Sequence, residues 1–296
     1  MDLVIALNKP KDITSQEAVT RAKKILRVRK AGHTGTLDPM ATGLLLVCIN
    51  RATRIASYFS SLDKEYRAVM KLGETTDTQD AYGKIISKSD AVNIGRLVIK
   101  DTLESFKGSI QQMPPMHSAL KHKGQPLYKL ARKGIEVERK PREVTIYDIS
   151  LINIDLPYVT FHVACSKGTY IRTLCDDIGR KLGIGAHLFA LERTAIGAFH
   201  IEDSLSFDEL RSADADKPGA RGIYTMDEAL SWIPELKIDD VTLQAVKHGK
   251  PIRIADLPDA YGRTESVRIK SSDGSLLAIG SRSGVKNMIK MDVVFG

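Results

Sequence analysis

The sequence predicts a protein of mixed helices and strands, with one large domain over residues 1–232 followed by a small unit over 235–296. Three observations carry this reading. The apolar runs Leu3–Leu7 and Leu44–Ile49, and the alternating run Lys64–Leu72, have the lengths and periods of strands. Capped or periodic amphipathic stretches stand among them, above all those opening at Thr14 and at Ile171. The chain then changes character between Ser204 and Glu235, where polar, Pro- and Gly-containing residues interrupt the pattern.

In order, Leu3–Leu7 is a strand ended by Asn8-Lys9-Pro10. Thr14 and Glu17 form a capping box for a helix whose Val19, Ala22, Ile25 and Leu26 share a face. Arg27, Arg29 and Lys30 close that helix, where cations suit the dipole and could also hold a phosphate backbone. A loop with Gly32, Gly35, Pro39 and Gly43 follows, and the buried run from Leu44 anchors it. Asp38 therefore stands on a loop tied to the core, a placement that suits a reactive carboxylate. Taken alone, Asp38-Pro39 reads as a common turn starter.

Residues 51–59 form a short helix, and Lys64–Leu72 is a strand whose Tyr66, Ala68, Met70 and Leu72 point inward. Thr75–Asp80 reads as a solvated turn. Residues 94–106 and 127–133 are helical, and 144–156 and 159–165 are two strands of a sheet. Ile171, Leu174, Cys175, Ile178 and Leu182 have helical spacing, with Gly183 as the stop. Arg172 falls in the first turn of that helix, on the flank of its apolar stripe. A cation there opposes the dipole, which points to a paired anion. Residues 211–222 are a loop and 226–232 a closing helix. Beyond Pro234 come a helix over 239–248 and short strands joined by the Ser272-Asp273-Gly274 turn.

The bulk properties narrow the function classes. Lys and Arg outnumber Asp and Glu by 44 to 36, net +8, which favours a polyanionic partner such as nucleic acid. Cys48, Cys165 and Cys175 lie in apolar segments without Cys-x-x-Cys spacing, so they read as reduced thiols of a cytoplasmic protein with no structural zinc. No stretch has the length of a transmembrane helix, and Leu3–Leu7 is too short for a signal peptide. The Gly-rich loop lacks the Gly-Lys-Ser/Thr ending of a nucleotide-binding P-loop.

The string Gly-His-Thr-Gly-Thr-Leu-Asp-Pro-Met-Ala-Thr-Gly, residues 32–43, resembles the signature loop of the TruB family of tRNA pseudouridine synthases. Other segments are similar to that family in the same order. Asn8–Ser15 matches its first motif, with Asp12 where a glycine is common, and Asp63–Arg67 resembles its tyrosine motif. Thr75–Asp80 and Pro114–Ala119 match two further stretches, with His117 where tyrosine is often found. Cys165–Leu174 resembles the third motif, and Gly185–Arg193 resembles Gly-Ala-His-x-x-x-Leu-x-Arg.

This resemblance implies an α+β fold, a mixed and mostly antiparallel sheet flanked by helices, with the active site in a cleft across it. Behind it stands a small PUA-like β-barrel for gripping RNA, to which Lys247, Lys250, Arg253, Arg263 and Arg268 would contribute. The implied activity is isomerisation of uridine 55, in the T-loop of tRNA, to pseudouridine. The base is flipped out and the C1′–N1 bond is exchanged for C1′–C5, without net redox change and without a cofactor or metal. Asp38 is the implied essential carboxylate, Arg172 its partner, and Tyr66 the ring against the base, with a possible part in removing the C5 proton. Lys9, His33, Tyr170 and Leu191 are implied substrate contacts, with His33 filling the place the base leaves. The implied partner is the T-arm stem-loop, bound by a monomer. The resemblance leaves open whether Asp38 attacks C1′, attacks C6 or removes the C2′ proton. Two rival readings are an enzyme for a ribosomal RNA uridine and a non-catalytic tRNA-binding protein.

Overall fold

The computed structural model describes the chain except residues 90–92, 119, 132, 215–218, 254–265, 284–286 and 296, and the side chain of Lys121. Ala119 and Arg263 thus lie outside the described residues.

Strand β1 (Leu3–Lys9) leads to α1 (Ser15–Ile25), and the expected capping box is present. The Thr14 hydroxyl accepts from the Glu17 N–H at 3.1 Å, and the Glu17 carboxylate accepts from the Thr14 N–H at 2.7 Å. Strand β2 (Ala31–His33) pairs with β3 (Thr42–Ile49), so Gly32 and His33 belong to a strand, and the loop proper runs over residues 34–41. A 3₁₀ turn over Asn50–Ile55 and α2 (Ala56–Ser60) replace the single helix expected at 51–59. Strand β4 (Lys64–Leu72) has the expected bounds and inward face.

The hairpin β5 (Glu74–Thr76) and β6 (Ile85–Lys88), helix α3 (Arg96–Glu104) and strand β7 (Gly108–Gln112) come next. A loop follows, carrying the two-residue strands β8 (Lys121–His122) and β9 (Gln125–Pro126) and helix α4 (Leu127–Ala131). Then come β10 (Arg142–Asp155), β11 (Tyr158–Cys165), α5 (Ile171–Lys181) and β12 (Ala186–Ile196). The large domain ends with β13 (Phe199–His200), α6 (Phe207–Ser212), β14 (Ile223–Thr225) and α7 (Met226–Ala229). Helix α6 reaches into the stretch expected to be loop from residue 211, and α7 is shorter than expected.

The main sheet runs β14-β1-β3-β12-β4-β11-β10-β7, with β2 and β13 paired at β3 and β12. Every pairing in it is antiparallel except β3–β12, which run parallel where Glu192 faces Thr42 and Arg193 faces Gly43. Its two halves are buried differently. Strand β3 is apolar throughout because it is covered on both faces: Leu45, Val47 and Ile49 pack on α1, while Leu44, Leu46 and Cys48 pack toward Phe59 and Leu230. Strands β4 and β11 alternate because only one face meets helices α3 and α5, through Ile99, Leu103, Leu174 and Ile178. The site lies where the two halves join.

Strand β15 (Glu235–Lys237), helix α8 (Asp240–Lys247), and strands β16 (Ile252–Arg253), β17 (Ser266–Lys270), β18 (Leu276–Arg282) and β19 (Met288–Val294) form a second sheet, a half-barrel with its own apolar cluster. It is fastened to the main sheet. Ile279 and Phe295 join the cluster around Phe59, and Arg51 and Arg54 donate to the carbonyls of Phe295 and Val294. Arg268, expected as an RNA-facing cation, is instead buried and donates to the Ile233 carbonyl and the Asp227 carboxylate.

Candidate active site

The signature loop is held from below by the first motif. Ser15 clamps Leu37, accepting from its N–H at 2.8 Å and donating to its carbonyl at 3.0 Å. The Asp12 N–H donates to the Pro39 carbonyl at 2.8 Å. Asp12 has φ +66°, which explains why a glycine is common at this place and why an aspartate, tolerant of left-handed backbone, stands in for it. Lys9 is fully buried, and its ammonium donates to the carbonyls of Ile13 at 2.8 Å, Pro10 at 3.0 Å and Pro39 at 3.4 Å. Burial brings its pKa down to about 8, against the pull of Asp38 and Asp12. With its donors spent on carbonyls, Lys9 braces the loop from inside rather than facing a ligand, the position implied for it above.

Residues 38–41 make the turn that Asp-Pro suggests, closed by the Ala41 N–H on the Asp38 carbonyl at 3.0 Å. The Asp38 side chain, however, turns to Arg172. Nε of Arg172 lies 2.9 Å from Oδ2, and Nη2 lies 3.5 Å from Oδ1. The guanidinium is 5% exposed and the carboxylate 34% exposed, so the pair has a covered side and an open side. Arg172 also donates to the His117 carbonyl at 2.8 Å and the Thr78 carbonyl at 3.2 Å, and its Nη1 lies 3.4 Å from Asp80 Oδ2. Three separate segments thus fix one planar fork. Burial pushes the Asp38 pKa up; Arg172 pulls it down, Asp80 adds to the rise and Lys9 opposes it, and burial wins.

Asp80 is 7% exposed, so the turn expected to be solvated is in fact part of the site. Its carboxylate accepts from the Thr78 hydroxyl at 2.7 Å and the Tyr82 N–H at 3.0 Å, and its segment is bridged to β12 at Leu188. Arg172, placed by periodicity on the flank of the helix stripe, is buried because these partners satisfy it.

Tyr66 starts the inward face of β4, as expected, beside Leu37, Met40 and Leu191 in one cluster. Its hydroxyl lies within the electrostatic reach of Arg193, which is 1% exposed. Arg193 donates to the Leu44 carbonyl at 2.8 Å and the Gly35 carbonyl at 3.0 Å, joining the signature loop to β12. Burial raises the Tyr66 pKa, and Arg193 offsets only part of that. The contact between the two strands requires Gly43. A Cβ there would lie 2.4 Å from the Arg193 carbonyl oxygen, and φ is +98°.

The structure therefore brings together Asp38, Arg172, Tyr66 and Leu191. His33 sits on β2 opposite Val47, its Nδ1 buried without a partner among the described residues and its pKa lowered by burial. Tyr170 is the residue before α5, half-buried, with burial raising its pKa. Sequence reasoning missed Asp80 and Arg193 as site residues. The available signals were two carboxylates in a Thr-rich turn, and an arginine two residues after Leu191, at the strand period that puts both on one face. Among the described residues no cluster of His, Cys, Asp and Glu has metal-holding geometry, and no helix is long and apolar enough to cross a membrane.

Comparisons with known proteins give the family. Residues 23–171 match the TruB family pseudouridylate synthase N-terminal domain, and residues 172–231 match the tRNA pseudouridylate synthase B C-terminal domain. Both matches lie within residues 1–232, so neither bears on the half-barrel behind them. A tRNA pseudouridine synthase B of Clostridium tetani is 44% identical over 96% of this chain and 96% of its own length. Another, from Clostridium kluyveri, is 40% identical over 99% of this chain and 100% of its own length. Among solved structures, an H/ACA ribonucleoprotein bound to a substrate RNA containing 2′-deoxyuridine holds a chain that matches with a TM-score of 0.74 at 27% identity, over 99% of this chain and 85% of that one. A Cbf5-Nop10-Gar1 complex gives 0.73 at 29% identity, over 98% and 83%. The sheet is the pseudouridine synthase sheet, and the chain belongs to the TruB family of pseudouridylate synthases.

Proposed function

We propose that this protein converts uridine 55, in the T-loop of tRNA, to pseudouridine, with Asp38 as the essential carboxylate. The observation that carries the reading is the Asp38–Arg172 pair at 2.9 Å, one face covered and one face open, on the loop that the family match includes. Relatives named tRNA pseudouridine synthase B over nearly the whole chain support tRNA as the substrate class.

The reaction breaks C1′–N1, forms C1′–C5, moves a proton from C5 to a base and delivers one to N1. A uridine stacked in the T-loop is out of reach, so it must be flipped out toward Asp38. Arg172 orients the carboxylate with a planar fork, and Asp38 acts on the sugar or the ring from its open side. Tyr66 lies against the uracil near Arg193, and it would take the C5 proton only as the phenolate, a form that burial disfavours and Arg193 favours. Leu191 forms the apolar wall of the pocket, and His33 and Tyr170 meet the RNA around it. The half-barrel over residues 235–296 serves as a PUA-like grip on RNA outside the loop, through Lys247, Lys250 and Arg253, which are exposed.

Incubating the purified protein with unmodified tRNA and mapping pseudouridine tests the reading. A single new pseudouridine at position 55 is expected. Modification only of ribosomal RNA, or tRNA binding without any pseudouridine, would overturn it in favour of one of the rivals.

A further inference from the structure

Gln112 closes β7 and is 1% exposed, yet it carries a full amide. Both ends of that amide are spent on the backbone of one residue. Oε1 accepts from the Tyr170 N–H at 2.7 Å, and Nε2 donates to the Tyr170 carbonyl at 3.0 Å. The side chain thus reproduces the double bond pattern of an antiparallel strand pair, across to the residue before helix α5. That helix has no side-chain cap of its own, and Arg172 is its second residue. The Tyr170 carbonyl also accepts the first helical bond, from the Leu174 N–H at 3.0 Å. Whatever holds the Tyr170 backbone therefore sets where the helix begins and where the Arg172 stem leaves it.

The same segment acts on Arg172 a second time. Five residues beyond Gln112, the His117 carbonyl takes Nη2 of Arg172 at 2.8 Å. Arg139 fastens this segment at its other side, donating to the Pro114 carbonyl at 3.1 Å. Backbone and guanidinium of Arg172 are both referred to residues 112–117.

We propose that Gln112 is a positioning residue for the isomerisation, fixing Arg172 against Asp38 by clamping the Tyr170 backbone, so that residues 112–117 set both the start of helix α5 and the placement of the Arg172 guanidinium. This rests on the function proposed above. Gln112 touches neither substrate nor Asp38. It acts through Arg172, and its loss should slow the chemical step and leave RNA affinity in place.

The test is Gln112→Glu, with single-turnover rate and RNA affinity measured on a T-arm stem-loop across pH. A protonated Glu can donate to the Tyr170 carbonyl as Gln does. An ionised one sets an acceptor against that carbonyl and loses the clamp. At alkaline pH the variant should turn over about tenfold or more slower than wild type, with affinity within about threefold, and the ratio to wild type should recover as pH falls. A purely structural role would lower stability without a recovering rate ratio. Gln111→Glu, exposed on the same strand, is the charge control and should match wild type. If Gln112→Glu fails to fold, Gln112→Met carries the test: it matches the volume, makes neither bond, and should be slow at every pH. Wild-type rates in the folded variant, a pH-independent ratio for Gln112→Glu, or a loss confined to affinity would overturn the proposal. Hydrogen exchange over residues 170–175 reads the clamp without turnover and should quicken in Gln112→Met. If wild type makes no pseudouridine, the function reading fails on its own, and exchange still judges the clamp, with unchanged exchange refuting it.

Discussion

Asp38 and Asp227 both meet arginines in partly covered positions, and their carboxyls move in opposite directions. At the junction of the sheets, burial pushes Asp227 up, but Lys270 and Arg268 together outweigh it and hold it below the ordinary aspartate range. Lys270 lies 2.7 Å from one carboxylate oxygen, and Arg268 holds the other. In the active site Arg172 lies almost as close to Asp38, yet burial wins and the carboxyl is held up. The difference lies in the charges around each carboxylate. Arg268 and Lys270 both contact Asp227, whereas Asp38 has the single guanidinium of Arg172 in contact, itself also paired with Asp80. Asp80 also repels Asp38 directly. Asp227 is arranged to hold two sheets together. Ionising Asp38 costs the folded protein something, which suits the reacting role proposed for it.

The largest expected effect breaks the comparison on the side of chemistry. Asp38→Asn should abolish pseudouridine formation while RNA affinity stays within about threefold, since the amide keeps the shape. It should not destabilise the free protein. Because the folded Asp38 value is raised, the ionised carboxylate costs stability above that value, so Asn should melt at the same or a higher temperature at alkaline pH. The difference should close as pH falls through the Asp38 value. Calorimetry across pH, beside a turnover assay, checks both halves; turnover by the variant would remove Asp38 from the mechanism.

Arg172→Lys should come next. An ammonium cannot span Asp38 and the two carbonyls, so a loss of about 3 kcal/mol, roughly a hundredfold in rate, is expected. A near-normal rate would show that the fork geometry is not used.

Asp227→Asn sharpens the comparison from the other side. It leaves Arg268 and Lys270 without their carboxylate, and should lower Tm by roughly 2–6 °C at neutral pH without changing the rate on a stem-loop. Here the folded value is lowered, so the stabilisation is present above the ordinary aspartate range and is lost as pH falls through the lowered value. The Tm gap to wild type should therefore vanish in strong acid. A rate defect in a folded variant would mean that the junction reaches the active site.

The smallest effect concerns RNA. Replacing the exposed Lys247 and Lys250 with Glu should flatten the dependence of log affinity on log salt by about one to two units for full-length tRNA and leave stem-loop turnover unchanged. Equal slopes would mean that the half-barrel does not touch RNA there.

What could be read from the residues followed local rules. The capping box at Thr14, the alternation along Lys64–Leu72 and the stop at Gly183 each have a cause within a few neighbours, and those elements stand where expected. Asp38 and Arg172 were legible as strings, though nothing local sets them side by side. Asp80 was not legible, because a turn of Thr and Asp residues becomes buried only when β12 and Arg172 pack on it. Arg193 and Lys9 were unread as internal braces for a related reason. A fully buried cation is unfavourable until carbonyls from distant segments converge on it, and that convergence belongs to the tertiary fold. Arg268 passed for a surface cation because the Asp227 that buries it lies across a sheet junction.

The most direct test is the pH dependence of kcat/KM for pseudouridine formation, which reports the free enzyme's groups. Wild type is predicted to lose activity on acidification with a midpoint above the ordinary aspartate range. Asp80→Asn, which removes the repelling charge, is predicted to move that midpoint to lower pH, whatever it does to the plateau. A wild-type midpoint at or below the ordinary range, or an upward shift in Asp80→Asn, would contradict the claim that burial and Asp80 hold Asp38 poised for reaction.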